Sequence, residues 1–145
     1  MMRISPAGIA LIKEFEGCSL SAYQCSAGVW TIGYGSTRPV VKPGDVISRE
    51  EAEARLRNDL SHFEAGVAAL ISQAEQREFD ALVSLAFNIG LQAFTRSTVR
   101  RQHNAGNKQH AADAFLMWDK VQRRVVRGLQ RRRRAERAHY LGIAR

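Results

Sequence analysis

Three side chains able to do chemistry stand near the start of the chain. Within KEFEGCSLSAYQCSAGVWTIGYG, Lys13 to Gly35, Glu16 offers a carboxyl group, Cys25 a thiol and Thr31 a hydroxyl, with eight and then five residues between them. A carboxyl group acts as a proton donor in catalysis only while it holds its proton near neutral pH. The position of Glu16 favours this. Gly17 stands where a left-handed C-cap is wanted, so a helix is expected to end at Glu16. A carboxylate there faces the negative end of the helix dipole, which raises its pKa. That placement costs stability, which makes Glu16 a poor choice for a purely structural role.

The elements that must position these groups follow from local patterning. Ser5 is a good N-cap, Pro6 suits the first helical turn, and Ile4 can staple onto Ile9. Ile9, Ile12 and Phe15 supply the buried stripe of this first helix. Ser19 to Gln24 and Val29 to Tyr34 read as two strands joined by the turn Cys25-Ser26-Ala27-Gly28. In the second strand Trp30, Ile32 and Tyr34 share one face, which is expected to be packed. Thr31 and Gly33 share the other, expected to be open to a ligand.

The rest of the chain is helical. Ser48 to Glu51 is a capping box that opens a helix with Ala52, Leu56 and Leu60 inward, running on through Val67 to Ile71. Ser72 to Glu75 repeats the box before a helix carrying Phe79, Leu82, Val83, Ala86 and Phe87, apolar on more than one face and hence the expected central helix. Shorter helices are expected near Ser97 to Asn104 and Lys108 to Trp118, with Ala111, Ala112, Phe115 and Trp118 in the core. A last helix spans Gly128 to Leu141. One strand pair among about six helices makes an α+β fold.

The totals set limits on function. With 145 residues the chain can build one domain with a real core. No run approaches the ~18 apolar residues of a membrane span, and the apolar patch Gly8 to Ile12 is too short for a signal peptide. The formal charge is +8. Residues 1–99 carry nine Lys/Arg against eleven Asp/Glu, whereas residues 100–145 carry thirteen against three. The basicity therefore belongs to the last third. It suits either a polyanionic partner or simply a well-solvated helix face. Cys18 and Cys25 make no disulfide framework and no zinc spacing, and His62, His103, His110 and His139 are scattered. No metal site and no cofactor are expected. Four consecutive arginines, Arg131 to Arg134, span every face of a helix, so at least one must turn inward towards a carboxylate. Glu136 can serve Arg132 at i+4, and Glu16 is a second candidate.

Taken together, Glu16, Cys25 and Thr31 resemble the active-site marker of the phage-type lysozymes, glycoside hydrolase family 24: glutamate, eight residues, aspartate or cysteine, five residues, threonine. FEG, AYQC, GVWTIGYG, LVSLAFNIG, AFLMWDK and GLQRRRRAERAHYL resemble family blocks in family order, over essentially the whole chain. The resemblance implies a lysozyme-like domain covering 1–145, with a small β-hairpin lobe at about 17–47, a larger helical lobe, and a cleft between them. It implies an endolysin, a muramidase that hydrolyses the β-1,4 bond between N-acetylmuramic acid and N-acetylglucosamine in peptidoglycan and so lyses the host cell. Glu16 would be the general acid, Thr31 would help position the attacking water, and Arg131 would be the arginine of the last helix set against the glutamate. The alternative is a catalytically impaired lysozyme-like protein that only binds peptidoglycan. No specific nucleic acid is expected as partner. The basic last third is expected to meet anionic cell-envelope surfaces, and the protein to be a monomer. Without a visible signal peptide or anchor, the expected location is the host cytoplasm, with a holin's help in reaching the periplasm and cell wall.

Cys25 departs from the commoner aspartate of that family, although a cysteine subgroup exists. A free thiol has a pKa near ~8.5, and a nearby ionised carboxylate would raise it. As a thiolate Cys25 could activate water or attack the sugar directly, with opposite stereochemical outcomes. Family analogy favours the inverting, water-mediated route. Some relatives cage this cysteine in a disulfide, and Cys18 with Cys25 is the pair available here. An extended strand between them would separate their α-carbons by roughly 20 Å, whereas a disulfide needs about 5–6 Å. Bond and hairpin are therefore mutually exclusive. The caged relatives also carry an N-terminal anchor with a third cysteine, absent from this sequence, so the reduced form is the expected one.

Overall fold

The structure is a computed structural model that describes residues 2–145. In chain order the elements are α1 (Pro6–Glu16), β1 (Ser19–Gln24), β2 (Trp30–Gly33), α2 (Arg49–Leu70), α3 (Gln76–Ile89), α4 (Leu91–Thr95), α5 (Thr98–Asn104), α6 (Lys108–Ala114), a 3-10 turn (Phe115–Met117), β3 (Lys120–Val121), β4 (Arg124–Val125) and α7 (Arg127–Leu141). The fold is α+β, and it divides into two compact units. One spans Lys13–His62, and the other holds the remaining described residues.

The Lys13–His62 unit is built on the hairpin. β1 and β2 pair antiparallel, with Tyr23 opposite Thr31, Gln24 opposite Trp30, and an irregularity between Ser19 and Tyr23. The turn is closed by Cys25 N donating to Val29 O at 2.9 Å and Gly28 N to Cys25 O at 2.8 Å. The following loop returns to β1, where Ala22 N donates to Asp45 O and Ile47 N to Leu20 O, each at 2.9 Å. Ser48 then caps α2 as its sequence predicts. Glu51 N donates to Ser48 Oγ at 3.1 Å, and Ser48 N and Oγ both reach Glu51 Oε1. Ala52, Leu56 and Leu60 point inward from that helix.

In β2 the expected alternation fails. Thr31, Ile32, Gly33 and Tyr34 are all buried, so the Thr31/Gly33 face is closed rather than open. The reason is local packing. The Cβ of Ala52 lies 3.4 Å from the point where a side chain on Gly33 would begin.

The other unit is centred on α3, whose residues Glu78 to Ala86 are buried without a break. A helix with no solvent face must meet partners all round, and α7 is the chief of these. Here the basic cluster divides. Arg131 and Arg134 are exposed, while Arg132 and Arg133 are buried. The buried pair converges on the fully buried Glu136, with Arg132 Nε 3.2 Å from Oε2 and Arg133 Nε 2.8 Å from Oε1. Ser84 of α3 donates its hydroxyl to Glu136 Oε2 at 2.5 Å. Both inward arginines thus pair with Glu136, as the i+4 spacing predicts for Arg132. Burial pushes the Glu136 carboxyl upward, against the pull of Arg133 and Arg132.

Asp80 fixes the start of α1. It accepts from Ser5 N at 2.9 Å, Ser5 Oγ at 2.5 Å, Gln76 Nε2 at 2.8 Å and His139 Nε2 at 2.9 Å. Ser5 also caps α1, accepting from Gly8 N at 3.2 Å.

Several expectations need correction here. α3 starts one turn later than expected, with Glu75 and Glu78 forming the capping box, while Ser72 N goes to Asn104 Oδ1 at 2.8 Å. Trp118 is only half-buried, and the stripe of α1 is Leu11 and Ile12 with Ile9 and Phe15 half-covered. The second antiparallel pair, β3 with β4, was not foreseen.

Candidate active site

Glu16, Cys25 and Thr31 all fall within the Lys13–His62 unit. Glu16 is the last residue of α1. Gly17 N closes the helix onto Lys13 O at 3.1 Å, and Gly17 turns into the left-handed region at φ 67°. This is the capped end that the glycine implies. The neighbouring cation does not reach forward: Lys13 Nζ pairs with Glu53 and sits 5.4 Å from the ring centre of Tyr34. Glu16 lies beside Gly35, where a Cβ would stand 3.1 Å from its Oε1. Gly35 has φ 80°, so both its backbone and its missing side chain make room for the carboxylate.

Cys25 and Thr31 form one hydrogen-bonded group. The carbonyl of Val29 accepts from Cys25 N and from Thr31 Oγ1, each at 2.9 Å. Groups able to donate to the Cys25 sulfur are the backbone N–H groups of Val29 and Ala27, the Thr31 hydroxyl and its own amide. These hold its pKa below the ordinary thiol value, with the Val29 and Ala27 amides contributing most and burial opposing them. The net direction is therefore downward, since backbone amides beside a sulfur stabilise its negative charge.

The structure places a fourth group among these. Tyr23 faces Thr31 across the hairpin and is 40% exposed. Burial raises the pKa of its phenol, and the charges of Glu16 and Cys25 raise it further. The period-two pattern of β1 puts Tyr23 on the Thr31 side of the ribbon once the register is known, and the register is what the sequence lacks. Arg131 lies exposed in the second turn of α7, within the other unit. Cys18 and Cys25 are both thiols, Cys18 exposed and Cys25 half-buried, with β1 extended between them. Among the described residues no group of three or more His, Cys, Asp or Glu side chains could hold a metal ion.

Chemically the arrangement offers a carboxyl group at a helix end, a thiol whose pKa is lowered, and a hydroxyl beside it. A thiolate can take a proton from water, a hydroxyl can orient that water, and a carboxylic acid can protonate a leaving oxygen.

Known proteins place the chain in a family. The profile of the family described as Phage lysozyme matches residues 13–136. The endolysin of Acyrthosiphon pisum secondary endosymbiont phage 1 is 44% identical, over 94% of this chain and 97% of its own. The endolysin of Bacillus phage B103 is 47% identical over 97% of this chain, which spans only 54% of that longer relative. Among solved structures, the endolysin from Escherichia coli O157:H7 phage FAHEc1 superposes with a TM-score of 0.91 at 44% identity, covering 97% of this chain and 94% of its own. Glu16, Cys25 and Thr31 lie inside the matched region, and the chain belongs to the phage lysozyme family.

Proposed function

We propose that Glu16, Cys25 and Thr31 carry the lysozyme reaction of this chain, the hydrolysis of the β-1,4 bond between N-acetylmuramic acid and N-acetylglucosamine in peptidoglycan. Glu16 protonates the leaving glycosidic oxygen. Cys25, as thiolate, takes the proton of the attacking water, and the Thr31 hydroxyl orients that water. With water as nucleophile the anomeric centre inverts.

The observation that supports this assignment most is the Val29 carbonyl, which accepts from both Cys25 N and Thr31 Oγ1 at 2.9 Å and so holds thiol and hydroxyl side by side. An ordinary thiol would be mostly protonated at neutral pH and a weak base for water. A thiol held below its ordinary pKa can take the role that an aspartate plays elsewhere.

Clearing of chloroform-treated Gram-negative cells is the test. Glu16→Gln is expected to abolish clearing while still binding purified cell-wall sacculi. Full activity in that variant would overturn the assignment. Cys25→Ser and Cys25→Asp separate an enzyme from a protein that only binds: an enzyme changes its rate in both, and a binder keeps its affinity in both.

The basic last third is proposed to contact the anionic cell envelope. The protein is proposed to be made in the host cytoplasm and to reach the wall with a holin's help. Among the described residues no helix is long and apolar enough to cross a membrane.

A further inference from the structure

β3 and β4 form a ribbon with neither face covered. Every residue from Lys120 to Arg127 is exposed. The register sets Lys120 opposite Val125 and Val121 opposite Arg124, so each face carries one valine beside one cation. Val121 and Val125 are 54% and 53% exposed, and Leu116, Met117 and Val126 are also among the exposed large apolar residues. Scattered apolar side chains on a surface need no explanation, but five within Leu116 to Val126 do.

The charges of the segment have one sign. Lys120, Arg123, Arg124 and Arg127 are exposed, while Asp119 is buried and paired with Lys120 Nζ at 3.0 Å. The tip is also unusual. Gln122 and Arg123 have φ of 50° and 69°, in a turn where glycine or asparagine is the favoured occupant. Two polar side chains are thus held at the tip against their backbone preference. Such a ribbon is marginal by itself in water. Its base is closed by Val126 N donating to Asp119 O at 2.8 Å.

We propose that this ribbon docks on an anionic lipid bilayer, laying Val121 and Val125 into the interfacial layer while Lys120, Arg123, Arg124 and Arg127 reach the headgroup phosphates. Cations alone would fit any polyanion, but exposed valines gain most from an apolar phase, of which a hydrated glycan offers far less than a bilayer. Long basic side chains can bury their stems and keep their charges at the surface, so a valine beside a cation on both faces suits a boundary between lipid and water. Apolar burial and charge attraction are each weak, and together they retain a protein at a membrane. The proposal uses none of the residues assigned to lysis.

Flotation of the intact protein with vesicles tests it, comparing phosphatidylglycerol/phosphatidylcholine with phosphatidylcholine alone at low and high salt. Binding is expected only to the anionic vesicles. Val121→Ser with Val125→Ser is expected to weaken it by about tenfold at either salt concentration. Arg123→Gln with Arg124→Gln is expected to weaken it by a similar factor at low salt and to flatten its salt dependence. Both variants should melt at the wild-type temperature and digest purified sacculi at the wild-type rate. Three results would overturn the proposal: no flotation with anionic vesicles; flotation unchanged by the valine substitutions; or loss of sacculus binding in these variants without any vesicle binding, which would reassign the ribbon to the wall polymer.

Discussion

Gly35 and Glu16 are matched in space: the position a β-carbon would take on Gly35 is 3.1 Å from Oε1 of the carboxylate. Gly35→Ala adds atoms where the glutamate rests and forces a side chain onto a backbone with φ 80°. The backbone term costs about 1–2 kcal/mol. Displacing a reacting group by a fraction of an ångström costs rate as well, and about a ten- to a hundredfold loss is expected here. Melting curves and the initial rate of cell clearing measure the two effects. A variant that keeps the wild-type rate would remove Gly35 from any part in placing Glu16.

Cys25 should titrate early. Its thiolate fraction rises with pH, and a pKa held down by the Val29 and Ala27 amides and the Thr31 hydroxyl moves that rise to lower pH. The rate of iodoacetamide labelling at Cys25, followed by mass spectrometry of its peptide, should inflect below the ~8.5 of a free thiol. Thr31→Val removes one donor and should move the inflection up. If the lytic rate depends on the thiolate, its alkaline-side rise should follow the same inflection in both proteins. An inflection at or above the free-thiol value would contradict the donor arrangement.

Asp80 makes stability depend on acid. Burial by itself would raise its carboxyl, but the hydrogen bonds from His139, Ser5 and Gln76 outweigh it and hold the pKa below the ordinary aspartate value. A group depressed in the folded state stabilises above its unfolded pKa of about 3.9 and loses that contribution as pH falls through the folded value. Asp80→Asn should therefore cost about 1–3 kcal/mol at neutral pH, with the difference narrowing as the solution falls below about pH 4. Urea unfolding of both proteins across the acid range gives the comparison. A constant difference down to the lowest pH would assign the effect to shape rather than charge.

How much could be read in advance depended on whether local chemistry decided the outcome. Ser5, Pro6 and Gly17 delimit α1 because caps act over one turn, and Ser48 with Glu51 opens α2 for the same reason. Glu16, Cys25 and Thr31 stood out by type and spacing. The closing of the Thr31/Gly33 face did not, since Ala52 packs at Gly33, a contact set by tertiary structure. Tyr23 needed the register of the hairpin. The ribbon of β3 and β4 escaped notice because its strands are two residues long, too short for a periodic signal, and because Gln122 and Arg123 carry no turn signature. At the start of α3 two acceptable caps, Ser72 and Glu75, competed, and Asn104 claimed the backbone of the first.

The Val29 carbonyl accepts twice, from Cys25 N and from Thr31 Oγ1. Thr31 has a single hydroxyl hydrogen and two neighbours that can take it, the Val29 oxygen and the Cys25 sulfur. While the sulfur keeps its own proton, the carbonyl is the better acceptor. Once the sulfur is charged, the balance tips towards it, and the hydroxyl rotates without any heavy atom moving. The lone pairs of Oγ1 then turn elsewhere. In the proposed reaction the polarity that Thr31 presents to a water molecule is thus a readout of the charge on Cys25, so the site reorganises between its resting and its armed state by the swing of one hydrogen.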